Sequence, residues 1–460
     1  MQNINLDIQI NNFLSKPLKN DDHFTSAKLA ILDTVGCIIE ASTHDEVNNF
    51  AIDDKSFELF SNPFLNVGKL NSYQEVAWYL TVLTRWFDYN DTFLAKEWAH
   101  PSDNFGSVFS YFYANPNFKF IDFTTALTKA YEIQGSLCLG TSLNKLGYDH
   151  VFYVKLASGA VFSSLLSKGN EKIVNRTINH ILLDGPSLRS YRHFPNVGKR
   201  KSWAAADASK RGIELAKISQ LNDEVYSSIQ DDKNWGFEKT YLNDSEIKFG
   251  KELNDWVIQN VLFKVLFPAE FHGQSAVEGA IKLSKEFNQN IDKVKKINIF
   301  THEPAIRIIA NKENLSNASD RDHSLEYMVS AALLFGELKY EMYGNDFSGL
   351  NKIESLRKKI VVSEDLNFTK NYYEFSKRHI SNSIEIVYDD NSTSEKITIE
   401  NPIGHPSRRE EALPLLKEKF IRNVQNVLSL EKSMSLWEQV INLEKDDELT
   451  KFFNILQDDE

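Results

Sequence analysis

Phe263-Lys264-Val265-Leu266-Phe267-Pro268-Ala269-Glu270-Phe271-His272 marks the point where this chain changes character. On its N-terminal side, back to the start, apolar residues recur at three- and four-residue spacing and strand signals are few. Residues 26–35 and 123–133 carry that helical period, and residues 202–216 form an alanine-rich helix whose small side chains suit close packing. Beyond Phe267-Pro268 the pattern mixes. Ala276, Ala280, Leu283 and Phe287 share one helical face, residues 294–301 read as a strand, and Asp322-His323 opens a long helix through Leu325, Met328, Val329, Ala332 and Leu333 that ends near Tyr343. Ile360-Val361-Val362 is a short strand. Ile384-Glu385-Ile386-Val387-Tyr388, Asp389-Asp390-Asn391-Ser392 and Ile397-Thr398-Ile399 read as strand, polar turn and strand. The expectation is a mostly α chain with a smaller α+β domain at 266–404. Residues 1–265 together with 405–460 make the all-α part, because a helix over about 408–427 needs a surface to cover. The acidic stretch from about Glu431 reads as an amphipathic extension.

Composition bounds the function. With 460 residues there is enough chain for two substantial cores. No run of eighteen apolar residues occurs, and Met1-Gln2-Asn3-Ile4-Asn5-Leu6-Asp7 lacks the basic-then-apolar order of a signal peptide, so the cytoplasm is the default and no membrane partner is expected. Cys37 and Cys138, the two cysteines, lie in apolar segments and read as small buried hydrophobes. Two thiols do not hold an iron–sulfur cluster by conventional cysteine ligation. A net charge of −12 argues against nucleic acid as partner.

Against that acidic background one stretch is basic: Arg189, Arg192, His193, Lys199, Arg200 and Lys201, in a loop punctuated by Pro195 and Gly198. A small polyanion held in a cleft is the economical reason for it, with a solvated basic loop as the plain alternative. Upstream, Trp86-Phe87-Asp88-Tyr89-Asn90-Asp91-Thr92 and His100-Pro101-Ser102-Asp103-Asn104-Phe105-Gly106 bring carboxylates, a hydroxyl and an imidazole into about twenty residues. Proton transfer at neutral pH draws on that inventory, with Asp88 beside His100 to orient it. Asp and Asn ahead of a helix also cap it and leave N–H groups for an anion.

These stretches, with Gly198-Lys199-Arg200-Lys201-Ser202-Trp203-Ala204-Ala205, Phe263–His272, Asp320-Arg321-Asp322-His323 and Asn401-Pro402-Ile403-Gly404-His405, resemble the MmgE/PrpD family in order from about residue 25 to 428. Each motif is weak; six in sequence are specific. The resemblance implies a large helical domain built from both chain ends plus a smaller α+β domain, a homodimer, and neither metal nor organic cofactor. The implied reaction is dehydration of a small tricarboxylate, 2-methylcitrate, to 2-methyl-cis-aconitate in propionate breakdown, with citrate as a side substrate.

Lys201 and Lys264 match family positions that line the site and are expected to bind carboxylate and stabilise charge; Arg192, His193, Lys199 and Arg200 are expected to add to the field, some of them from solvent-facing positions. His100 with Asp88 is the expected proton-transfer pair. His150 corresponds to a second site histidine of the family's cis-aconitate decarboxylases and would act on the leaving hydroxyl. Asp91 and Thr92 are substrate or histidine contacts in second line. In the decarboxylases histidine follows Phe-Pro-Ala, whereas here Glu270 does; this disfavours decarboxylation and leaves Glu270 and His272 as further acid–base candidates. The bland rivals are capping or ion-paired roles for Asp88 and Asp91, a satisfied turn position for His100, a core position for His150, a snorkelling Lys264 and an N-cap for Asp320–His323. Tyr327 reads as core. Competing functions are another reaction of the same family on citrate or cis-aconitate, and a non-catalytic binding protein on the same fold.

Overall fold

The computed structural model describes residues 5–19, 21–50, 72–193, 195–221, 224, 226, 228–287, 291–310 and 315–457. Helices dominate, and their apolar faces converge on two cores. The larger core is built by Leu6–Leu14, His23–Ser42, Tyr73–Arg85, Phe105–Ala114, Phe120–Gly140, Val151–Leu166, Glu171–Asp184 and Arg200–Leu221, closed by Arg409–Val424, Leu430–Ile441 and Leu449–Gln457 from the far end of the chain. Cys37 and Cys138 lie buried in it as free thiols. The stretch read as an acidic extension is integral to this core. Leu436, Trp437, Val440, Leu449, Phe452 and Phe453 are buried in it, and each such side chain contributes about 1.5–3 kcal/mol relative to exposure.

The second core draws on Phe267 to Ile386. Helices Gln274–Phe287 and Leu325–Phe335 pack together beside a four-stranded sheet of order β4-β3-β5-β6, with β3 Val294–Thr301, β4 Ile360–Glu364, β5 Asn382–Tyr388 and β6 Ile397–Ile399. β3 runs parallel to β4 and antiparallel to β5; β5 and β6 are antiparallel, as the strand–turn–strand pattern predicts. Ile297 faces Ile360 and Ile386, and Ile299 faces Ile384. The period-two alternation therefore puts these isoleucines on the buried face.

Two readings need correction. Ser324, not Asp322-His323, caps the helix Leu325–Phe335, its hydroxyl accepting from Tyr327 N–H. That helix stops at Gly336, whose φ of +71° forms a left-handed C-terminal cap, and Tyr340–Tyr343 is a separate 3-10 turn. The helical part also holds a small antiparallel hairpin, β1 Phe93–Leu94 and β2 Trp98–Ala99, which the helical period concealed.

Helices Val151–Leu166 and Arg200–Leu221 cross at two glycines. A Cβ on Gly212 would lie 2.6 Å from the Lys155 carbonyl and 2.9 Å from Gly159 N, so only glycine lets the backbones meet. This close crossing brings together the N-terminal ends of both helices, where His150 and Lys201 stand.

Candidate active site

Segment 86–104 runs between the helices Tyr73–Arg85 and Phe105–Ala114 and is tied to the chain's turning point. Thr92 and Leu262 exchange backbone hydrogen bonds of 2.8 and 2.7 Å. Asp88 sits at φ +48°, a left-handed conformation uncommon outside glycine but tolerated by Asp. Its carboxylate lies 2.8 Å from Arg85 Nη1 and 3.0 Å from Lys264 Nζ, and the Lys264 ammonium also donates to the Asp88 carbonyl. Burial alone would raise this carboxyl; the Lys264 and Arg85 cations outweigh it and hold Asp88 well below the usual range. Lys264 is fully buried and reaches an anion, but that anion is the protein's own Asp88.

His100 follows β2. Its Nδ1 is 2.8 Å from the Asp91 carbonyl and 3.4 Å from Thr92 Oγ1, and only a protonated nitrogen donates to a carbonyl. The proton is thereby assigned to Nδ1 and Nε2 is bare. Sequence reading gave the tautomer to Asp88; the structure gives it to the Asp91 backbone, with Asp88 Oδ1 3.8 Å from Nε2. Burial, and then Arg85, Lys264 and His150, push the His100 pKa well below its ordinary value against the pull of Asp88, so the ring is neutral at pH 7.

His150 lies with its ring centroid 6.2 Å from that of His100. Its Nδ1 is 3.2 Å from Asp149 Oδ1, and Asp149 accepts a 2.6 Å bond from Arg192 Nε. Burial lowers the His150 pKa strongly, with Arg192, Arg189 and Arg85 adding to it and Asp149 opposing. Asp149 stays ionised because Arg192 outweighs its burial.

One narrow cleft brings these groups together. Asp88, His100, His150, Arg192, His193, Lys201 and Glu270 line it, as the sequence proposed, and so do Arg85, Trp98, Arg189 and His323. Glu270, Ile308 and His323 come from the part of the chain that forms the second core, so the cleft lies between the two. Lys201 Nζ bonds both Asp322 oxygens at 2.7 Å and meets His323 Nδ1 at 3.0 Å. The Asp320–His323 motif thus divides: Asp320 completes a capping box with Asn317, and Asp322 and His323 meet Lys201. Glu270 is bonded by His272 Nδ1 at 2.8 Å, which outweighs burial and lowers its pKa.

Four candidates stand behind the wall, Lys264 on Asp88 among them. His272 is completely buried, between Glu270 and the Tyr372 hydroxyl at 3.1 Å. Asp91 accepts from Ser102 N and Oγ at 3.0 and 2.6 Å, and burial pushes its carboxyl up to about 6. Thr92 contacts His100 alone among the groups of the cleft. Asp103 and Asn104 do not cap the following helix: Asn104 bonds Gln134 and Ser158, and Asp103 lies 3.6 Å from Arg85. The basic loop also splits, since Lys199 is exposed on Glu46 and Arg200 stacks on Trp203 and Tyr191 away from the cleft. Arg85 was missed because it reads as an ordinary helix-end cation; its spacing of three from Asp88 was the available signal.

Together these features define a mostly helical, two-core protein with histidines, carboxylates and cations gathered in one buried cleft. The chain belongs to the MmgE/PrpD family: residues 15–250 match the model of the MmgE/PrpD N-terminal domain and 267–445 that of the C-terminal domain. It is 38% identical to the mitochondrial 2-methylcitrate dehydratase of Yarrowia lipolytica, over 87% of this chain and 80% of that one. It is 37% identical to the 2-methylcitrate dehydratase of Escherichia coli K12, over 87% and 86% of the two chains. Its identity to the probable 2-methylcitrate dehydratase of Saccharomyces cerevisiae is 36%, over 89% and 83%. Among the described residues no helix is long and apolar enough to cross a membrane.

Proposed function

We propose that this chain is a 2-methylcitrate dehydratase, eliminating water from 2-methylcitrate to give 2-methyl-cis-aconitate in propionate breakdown, with citrate as a side substrate. One structural observation carries the chemistry: a neutral His100 with a bare Nε2 shares a cationic cleft with His150, which has the Asp149 carboxylate behind it. The names of the relatives supply the substrate.

Dehydration breaks a C–H bond beside a carboxylate, forms C=C, and expels hydroxide, which leaves as water once protonated. In this reading His100 Nε2 takes the carbon-bound proton. The bound tricarboxylate brings about three negative charges, offsetting the arginines that depress both imidazoles. His150, backed by a carboxylate where His100 is backed by a neutral carbonyl, then holds the proton for the departing hydroxyl. Charge gathering on the enolate-like carboxylate is met by fixed cations in a site sheltered from water. Lys201 contacts a substrate carboxylate. Arg85 and Lys264 act through Asp88, and Glu270, positioned by His272, bounds the hydroxyl side. The reading also takes the chain as a cytoplasmic homodimer that needs neither metal nor organic cofactor.

A panel of 2-methylcitrate, citrate and cis-aconitate, followed by absorbance of the unsaturated acids and by carbon dioxide release, tests the reading. Turnover of 2-methylcitrate that survives a strong chelator is expected; none at all on that substrate would end it. The pH dependence has a definite sign. Protonation disables the His100 base, and its pKa in the free enzyme lies well below 6.5. The acid limb of kcat/KM should therefore fall well below pH 6.5. An acid limb at or above pH 6.5 would remove His100 as the base.

A further inference from the structure

The cleft's cations are not equivalent. Arg85 is paired with Asp88, Arg192 with Asp149 and Lys201 with Asp322, each at 2.6–2.8 Å. Arg189 lines the same cleft, is only 6% exposed, and has no carboxylate within ion-pair distance among the described residues. Its Nε donates to His193 Nε2 at 3.2 Å, its guanidinium carbon lies 4.9 Å from the centre of the Trp98 ring, and its Nη1 is buried without a hydrogen-bond partner among the described residues. A buried guanidinium donor left unmatched is rare and calls for an acceptor. The field of neighbouring groups gives the same picture, since Asp149 and Glu97 act on Arg189 only through space.

We infer that Arg189 is the residue that anchors a substrate carboxylate and sets the preference for a tricarboxylate. Its planar fork, fixed by Trp98 on one face and His193 at Nε, presents the remaining N–H groups in the geometry a carboxylate accepts. An incoming carboxylate displaces no protein anion from Arg189, whereas at the paired cations it competes with an aspartate already in place. Binding energy is therefore concentrated at Arg189. This rests on the dehydratase reading of the cleft and names a substrate contact within it.

Steady-state kinetics on 2-methylcitrate, together with the inhibition constant of propane-1,2,3-tricarboxylate, tests the inference. Arg189→Gln should raise KM and the inhibition constant together by roughly 30-fold or more, with kcat changed by less than about threefold. Arg189→Lys, which keeps the charge and loses the fork, should recover part of the affinity. Lys199→Gln, altering an exposed cation outside the cleft, should change neither constant. The thermal shift given by the tricarboxylate should shrink in Arg189→Gln, which reports binding apart from catalysis. Arg189→Gln with both constants within about threefold of the wild type overturns the anchor alone. A wild-type protein that neither turns over 2-methylcitrate nor is stabilised by the tricarboxylate removes the anchor and the dehydratase reading together. If Arg189→Gln does not fold, Arg189→Lys decides: affinity for the tricarboxylate equal to wild type overturns the anchor, and weakened affinity at unchanged kcat supports it.

Discussion

His100→Ala is expected to lower kcat by roughly 100- to 10,000-fold while the protein stays folded. The magnitude follows from losing a positioned general base whose proton inventory is fixed by the backbone: Asp91 C=O holds Nδ1–H, and Nε2 is left as the basic atom. Folding survives for an electrostatic reason. The ring is neutral, so its removal strands no buried charge, and it stands at the cleft wall rather than within either core. Asp88 keeps Arg85 and Lys264, its two cationic partners. Circular dichroism and the melting transition should match the wild type while turnover collapses. A variant retaining more than about a tenth of wild-type kcat would transfer the base to another group, Glu270 or His150 first.

The largest effect on stability is expected from Lys419→Met, about 3–5 kcal/mol. Lys419 is 1% exposed, and its ammonium bonds Asp33 Oδ1 and the Tyr89 carbonyl, both at 2.6 Å, 4.0 Å from the centre of the Tyr89 ring. Methionine fills much of the space and leaves Asp33 as an uncompensated carboxylate in the core. Burial already lifts the Asp33 carboxyl above its ordinary value with the lysine in place, and it rises further without it. A carboxyl with a higher pKa folded than unfolded makes the native state bind more protons between the two values, so stability falls as pH rises through that window. The Lys419→Met deficit should therefore shrink towards acid pH in urea titrations. Replacing both partners, as Lys419→Met with Asp33→Leu, should recover most of the loss. A deficit below about 1 kcal/mol at neutral pH in the single variant would show that Asp33 is rehydrated there.

Legibility in the sequence followed the range of the interaction. Helical period and period-two alternation are local, and they located the Phe267-Pro268 switch, β3 and the strand pair β5–β6. Residue types near one another in sequence located much of the cleft, as with Asp88 and His100 or Arg192 and Lys201. What failed was partner choice at long range. Lys264 looks free in its apolar run until the fold sets it on Asp88, 176 residues away. The tautomer of His100 depends on a backbone carbonyl, which carries no residue signature. Arg189 stood in the basic loop without distinction, because its singularity lies in the carboxylate it lacks. The helix end at Gly336 was a different failure: the local signal was present, and apolar residues beyond it carried the reading past the stop.

The Lys419–Asp33 pair joins positions 386 residues apart, and the segment forming the second core lies wholly between them. That separation has a temporal meaning. At about 5–20 residues per second, Asp33 is made roughly 20–80 s before its lysine. Through that interval the growing helical core holds an unmatched carboxylate and an uncovered apolar face, while the α+β segment between them can emerge and pack. The backbone grip on Tyr89, one residue from Asp88, closes only when Lys419 arrives. The segment that carries Asp88 therefore gains this support only once residue 419 has been made.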